Sequence, residues 1–319
     1  MSKRAIVVAA FLLALAAVPP LATLLNQPFY LDLIRRMMIF AIAALSLNLI
    51  LGYGGMISFG HAAYLGVGAY AVGVLAHHGI TNGYLQWLVA IGASAAVALL
   101  IGAVSIRTSG IYFIMITLAF TQMLYYLGIS IEEYGGDDGM RLAAKSQFPG
   151  LFDIGDATVF FYVVYALLLL CLWFADRIVN SRFGMVIRAA RSNEARTRAI
   201  GFSPYPYRLA AFVIAGAMCG LAGALLVNQT AYLTPEFMNW TRSGELMFMV
   251  IMGGMRTSSG PVLGAFALLL LEDMLSGWGG LPKFVNEHWQ LFLGVILVLV
   301  VLFAKRGLAG LLPGGRDDG

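Results

Sequence analysis

Runs of about 20 apolar residues, the length one helix needs to cross a bilayer core of about 30 Å, recur along the whole chain and constrain it most. Of 319 residues 60% are hydrophobic and only 11% charged, against roughly 25% charged in an ordinary soluble domain. One water-facing surface could not cover so much apolar side chain, so the solvent is lipid. The expected spans are 5–25, 37–52, 58–77, 84–106, 110–130, 158–175, 209–230, 243–255, 260–276 and 289–304. They predict an all-α, polytopic transmembrane helical bundle of about ten crossings. No stretch between them is long enough for a soluble domain, so 1–319 reads as a single transmembrane domain. Ser2-Lys3-Arg4 before Ala5–Val18 imitates a secretory signal, yet Pro19-Pro20 and further apolar runs follow without a cleavage pattern, and the segment reads as a retained first helix.

Charge sets the orientation. The loop of about 176–208 holds seven arginines, Arg177, Arg182, Arg188, Arg191, Arg196, Arg198 and Arg208, against Asp176 and Glu194, which predicts a cytoplasmic position. Counting crossings outward places Lys3-Arg4, Arg107, Arg256 and Lys305-Arg306 inside, and the loop of about 131–157, with six acids from Glu132 to Asp156, outside. Arg35-Arg36 dissent, at an outer boundary from which long basic side chains can snorkel to headgroups. The net charge of +4 is accounted for by these short loops and does not call for nucleic acid. Cys171 and Cys219 fall inside apolar runs, away from any ligand pattern, and read as packing residues.

Two segments interrupt the hydropathy with glycine: Gly52 to His61, and Gly253 to Pro261. Each has Gly-Gly-Met, then a small or hydroxyl residue, then Gly, and shortly after a Leu-Gly pair. Unwound backbone at membrane depth is tolerated where it lines a cavity or is buried in protein, so such breaks mark a substrate path. Two tight turns are the plainer reading. With the glycines, Asn48, Ser58, His61, Thr117 and Gln122 are the polar residues expected along that path, which would run past Gly54, Gly55, Gly253 and Gly254. Polar groups in a bundle also bridge neighbouring helices. Gly83, by contrast, reads as an outer-loop glycine.

In the arginine-rich loop the pattern predicts a short helix over Val186–Ile200, ending at Gly201 with Pro204 beyond. On it Arg188, Arg191, Glu194 and Arg198 share one face, with Glu194 able to pair with Arg198 four residues on. Such a helix can dock on a partner.

The run from Arg188 to Gly201, Arg-Ala-Ala-Arg-Ser-Asn-Glu-Ala-Arg-Thr-Arg-Ala-Ile-Gly, resembles the cytoplasmic coupling loop of branched-chain amino-acid ABC importer permeases of the LivM type. Leu45 to Gly66 is similar to that family's early glycine-rich segment, and Met252 to Ala265 to its late one, so the likeness spans roughly 45–275 in three ordered blocks. The resemblance implies a permease that works with a second related permease, two cytoplasmic ATPase subunits and a periplasmic substrate-binding protein. It implies that Arg188, Arg191, Glu194, Arg198 and Gly201 couple to the ATPases, and that ATP and Mg are bound by those partners, with no cofactor in this chain. Gly201 lies seven residues after Glu194 rather than the six of the general ABC-importer motif, and in the outer loop Tyr134 and Met140 stand where the family pattern has Thr and Leu.

Gly139 to Ser146 comes within one residue of a phosphate-cradling loop, with Ala144 in place of the second glycine, but no strand precedes it and it falls outside the cytoplasm. His61, His77, His78 and His288 make no metal or catalytic pattern, so no enzyme and no metal site is expected. The expectation is a subunit of an ATP-driven importer for branched-chain or related amino acids in the bacterial inner membrane. The alternatives are an ABC permease for urea or another small solute, and an ion-coupled secondary carrier, which more often keeps an acid near the bilayer centre.

Overall fold

The computed structural model of the chain describes residues 3–24, 27–150, 152–277, 283–303 and 307–310. Lys305 and Arg306, expected on the cytoplasmic side, lie outside them. The elements in chain order are α1 (Lys3–Ala16), α2 (Val18–Leu24), α3 (Pro28–Asn48), α4 (His61–His77), α5 (Gly83–Ser105), α6 (Ile111–Ser130), α7 (Ala157–Val179), α8 (Arg182–Ser192) and α9 (Glu194–Ala199). Then come α10 (Pro204–Thr230), α11 (Trp240–Gly253), α12 (Gly260–Gly277), α13 (Lys283–Glu287) and α14 (Trp289–Phe303). Two two-residue strands, β1 (Met140–Arg141) and β2 (Tyr232–Leu233), pair antiparallel.

Local signals explain the starts. Asn82, Asp156 and Ser181 accept from backbone N–H groups of the first turns of α5, α7 and α8, and Pro28 and Pro204 open α3 and α10, where a missing N–H costs nothing.

Six helical segments are long and apolar enough to cross a membrane: Pro28–Tyr53, Gly83–Ser105, Ile111–Ser130, Ala157–Val179, Pro204–Thr230 and Gly260–Gly277. Two shorter apolar helices, Val7–Ala16 and Trp289–Val300, raise the number to eight among the described residues, not the ten expected. The shortfall has a physical reason. Of the expected spans, 58–77 holds α4, of 17 residues, and 243–255 overlaps α11, of 14; the first follows non-helical chain, 54–60, and the second follows β2 and a single 3-10 turn, Pro235–Met238. The expected first span is likewise split at Ala17 into α1 and α2.

The most hydrophobic windows of Pro28–Tyr53 and Pro204–Thr230 are 83% and 72% buried, against 33%, 22% and 28% for α5, α6 and α7. A helix apolar all round belongs inside a bundle; thus α3 and α10 form the centre, while the others turn Leu100, Met115 and Trp173 outward. Small residues bring the central backbones together, because a Cβ on Gly68 would run into the backbone of Gly220, and one on Gly223 into the carbonyl of Leu65. The bundle is multi-pass and membrane-embedded, as an inner-membrane protein is.

Candidate functional site

At one end of the bundle the arginine-rich loop folds into α8 and α9. The single helix expected over 186–200 is broken at Asn193, whose extended backbone ends α8 and whose side chain accepts from Arg196 N at 2.9 Å to cap α9. The pairing of Glu194 with Arg198 is present at 2.6 Å, and Glu194 also holds Arg208 at 2.7 Å, so the acid clamps α9 to the start of α10. The break separates the four residues expected on one face. Arg188, Arg191 and Arg198 are all exposed, but of the three only Arg191 reaches the glycine segment, donating from Nη1 to the Gly52 carbonyl and lying against Gly55. Gly201, at φ +93, makes the turn after α9, and nothing lies within 4 Å of where its Cβ would be.

That Arg191 contact reaches the first glycine segment. Beyond Asn48, α3 widens into a π-helical turn, Leu49–Tyr53, which Gly54 caps in helical geometry before Gly55 leaves it at φ +68. A helix that widens this way loses its regular hydrogen-bond ladder, a frequent mark of a functional position. The second glycine segment packs against the first. Asn48 donates to the Thr257 carbonyl at 3.0 Å and accepts from Arg256 N at 3.3 Å. Gly254 takes φ +108, and at Gly253 a Cβ would meet the Gly260 carbonyl. Burial first, and then the charge of Arg256, hold the Arg191 guanidinium below its ordinary pKa. Asn48, Gly54, Gly55, Gly253, Gly254 and Arg191 therefore form one assembly.

Ser58, His61 and Thr117 form a second group, deeper in the bundle. All are fully buried. His61 Nε2 is 2.8 Å from Ser46 Oγ, Ser243 Oγ accepts from Ala62 N at 2.9 Å, and Thr121 donates to the Phe59 carbonyl at 3.3 Å. Ser58 Oγ accepts from Gly60 N at 3.1 Å. This belt ties α3, α4, α6 and α11 at the start of α4. Gln122 is half-buried on α6 and joins none of these contacts.

Two cavities flank the belt. One of about 130 Å³ lies toward the arginine-rich end, between Gly54–Ile57 and the α5–α6 turn. The other, of about 290 Å³, lies toward the opposite end among α3, α4, α10 and α11, lined in part by Asp32, Arg36, Gln229 and Arg242. Along α3 the order is Arg36 and Phe40 at the second cavity, then Ser46 at the belt, then Gly54 at the first.

Sequence reasoning missed the second cavity. Arg35 and Arg36 do not snorkel outward as a pair. Arg35 is buried, pairs with Asp32 and stacks on Phe160 at 4.8 Å, while Arg36 lines the cavity. Also missed was the stretch 231–239, which runs back alongside α4, Leu233 against Gly73 and Met238 against Gly66, before α11 begins. Pro235 and the polar gap between the apolar runs were its only signals.

Cys171 and Cys219 are buried in the bundle. Among the described residues no group of three His, Cys, Asp or Glu side chains could hold a metal.

Residues 29–301 match the family model described as branched-chain amino acid transport system / permease component. The chain is 27% identical to the high-affinity branched-chain amino acid transport system permease protein LivM of Salmonella typhimurium, over 93% of this chain and 74% of that one. It is 27% identical to the probable branched-chain amino acid transport permease protein LivM of Methanocaldococcus jannaschii, over 85% and 90%. It is also 27% identical to the autoinducer 2 import system permease protein LsrC of Yersinia pseudotuberculosis, over 57% and 51%. No solved structure matches. The chain belongs to the branched-chain amino acid transport system / permease component family, a family of non-catalytic ABC-type importer permeases for small polar solutes.

Proposed function

We propose that the chain translocates branched-chain or related amino acids across the inner membrane by alternating access. In this reading it is paired with a second related permease, two cytoplasmic ATPase subunits bind and hydrolyse ATP with Mg, and a periplasmic substrate-binding protein delivers the solute. The observation that carries the reading is Arg191, whose hydrogen bond to Gly52 joins the arginine-rich loop to the glycine assembly. A movement of α8 imposed by an ATPase would act directly on the π-helical turn of α3 and, through Asn48, on the turn between α11 and α12.

The half-helices α4 and α11 each complete a crossing with the irregular chain before them, 54–60 and 231–239, and with α1–α2 and α14 restore ten crossings. Irregular backbone is tolerable at bilayer depth where protein covers it, as it does at the buried Met56, Ser58, Leu233, Phe237 and Met238. The belt of Ser46, His61 and Ser243 is the closed gate between the two cavities.

Reconstitution with the ATPase subunits, the second permease and the binding protein tests the reading. The expected result is ATP-dependent uptake of L-leucine, L-isoleucine or L-valine in preference to urea. Uptake by this chain alone, driven by a proton or sodium gradient, would reverse it in favour of a secondary carrier.

A further inference from the structure

The cavity of about 290 Å³ at the end opposite the arginine-rich loop carries chemistry that gating does not require. It lies at the small end of the range for ligand pockets, and its polar lining is charged in both signs. Arg36 enters from α3 and Arg242 from α11; Asp32 and Gln229 stand on the α3–α10 side. Arg36 has no ion pair among the described residues, and its guanidinium is held 5.8 Å over the ring of Phe40. Arg242 is held by Glu245 at 2.7 Å, and Glu272 on α12 feels the charges of Arg36, Glu245 and Arg242. Gln229 donates to the Asp32 carbonyl at 2.9 Å, which fixes the amide, and its Oε1 is buried with no partner. Apart from Thr230, the remaining walls are apolar, formed by Phe40, Leu65, Leu226 and Phe237.

Arg36 is half-buried with no direct ion pair among the described residues, and a buried acceptor such as Gln229 Oε1 without a donor is costly unless something completes it. A planar guanidinium suits a carboxylate. An unpartnered amide oxygen beside a carboxylate suits an ammonium. Apolar walls suit an aliphatic side chain. Neutral solutes such as urea would leave the Arg36 charge unanswered.

We propose that this cavity is a reception site for a zwitterionic amino acid with an apolar side chain. Arg36 and Arg242 take its carboxylate, Gln229 Oε1 and Asp32 take its ammonium, and Phe40, Leu65 and Phe237 take its side chain. The inference rests on the importer reading above and adds to it a place where the permease itself recognises the solute. From Arg36 to Ser46 along α3 is about 15 Å at the rise of an α-helix, so the site stands directly before the belt. An ethanolamine lipid headgroup offers the same pair of charges, and the test separates the two.

The full chain would be placed in nanodiscs of phosphatidylglycerol alone, and in others containing phosphatidylethanolamine. Binding of L-leucine would be compared with that of leucinol, which lacks the carboxylate, and 4-methylpentanoate, which lacks the ammonium. L-leucine should bind in both lipids, and each analogue should bind about tenfold more weakly or worse, the scale of a lost charge-assisted hydrogen bond. Arg36→Gln and Arg242→Gln should weaken L-leucine binding by a similar factor, with Arg36→Lys partly restoring it at unchanged thermal stability.

Leucinol binding as well as L-leucine, or Arg36→Gln binding as tightly as the parent chain, would overturn the proposal. So would loss of L-leucine binding when phosphatidylethanolamine is added, with that lipid retained on native mass spectrometry, because a headgroup would then be the occupant. Leucine uptake by the assembled transporter separates the two levels. Normal uptake and binding with Arg36→Gln removes this site and leaves the importer reading standing, whereas no amino-acid uptake by the parent assembly removes the importer reading itself.

Discussion

Arg191 and Arg188 sit three residues apart in the same arginine-rich run, yet only Arg191 reaches the Gly52 carbonyl and lies against Gly55. Composition cannot tell the two apart, because both are equally good positive-inside signals; both lie on α8, and the way α8 docks on the first glycine segment decides. We expect Arg191→Ala to lower ATP-driven uptake by about tenfold, the consequence of losing a charge-assisted hydrogen bond, with the chain still inserted. Arg188→Ala should change uptake little. Equal effects from both, measured in the reconstituted transporter at matched expression, would return Arg191 to the role of a topology signal. Gly55 gives a second test beside it. At φ +68 a side chain costs about 1–2 kcal/mol in backbone strain, and a Cβ there would crowd Arg191 as well. Gly55→Leu should therefore impair uptake far more than Gly92→Leu, since Gly92 lies in α5 with nothing within 4 Å of its would-be Cβ. Gly83, read from sequence as an outer-loop glycine, is not a suitable comparison, because a Cβ there would enter the ring of Phe148.

Element by element, what the sequence made legible was what depends on composition and on neighbours in the chain. The long helices α5, α6, α7 and α10 lie close to the apolar runs that predicted them, and the Asp156 cap and Pro204 mark their starts locally. The half-helices were not legible, since the irregular courses of 54–60 and 231–239 pack against α6 and α4, distant in sequence. The cavity of Asp32, Arg36, Gln229 and Arg242 draws on positions some two hundred residues apart, which no local pattern connects. The arginine-rich loop shows the same limit. Its two helices and the start of α10 enclose an apolar groove of about 550 Å³ that includes Phe183, Met185, Ile200, Phe202 and Tyr207. Met185 and Ile200 are 52% and 65% exposed, a large apolar surface to leave at the water-facing end of a membrane protein. If an ATPase subunit covers it, Met185→Glu and Ile200→Glu should each weaken co-purification of the ATPases and abolish substrate-stimulated hydrolysis, while Arg198→Ala does little. Full ATPase retention with both glutamate variants would place the docking surface elsewhere.

For the molecule as a whole, the contacts sort the loops into two ends. At one, the turn before α5 pairs with 147 across the Asn82–Gln147 bridge, β1 pairs with β2, and Asn228 bonds Ser146 at 2.9 Å. At the other, Arg191 meets Gly52, Ser258 donates to Asp176 at 3.0 Å, Tyr205 donates to the Ala103 carbonyl at 3.0 Å, and Arg107 lies 6.0 Å over the Tyr205 ring. The second end carries Arg107, Arg256 and the seven arginines of 176–208, and the first carries the acids from Glu132 to Asp156. Basic residues in short loops are retained on the cytoplasmic side during insertion, so the arginine-rich end is expected inside, where ATP is available to partners. A single cysteine at Ser192 should then react with a membrane-impermeant maleimide only after the membrane is opened, and one at Gln147 should react in intact cells. Both positions are exposed to solvent, whereas the native Cys171 and Cys219 are buried and should stay silent without detergent. Reaction of both introduced cysteines from the same side would contradict the two-ended arrangement. Reaction of Ser192→Cys alone in intact cells would invert it and remove the arginine-rich loop from any cytoplasmic ATPase.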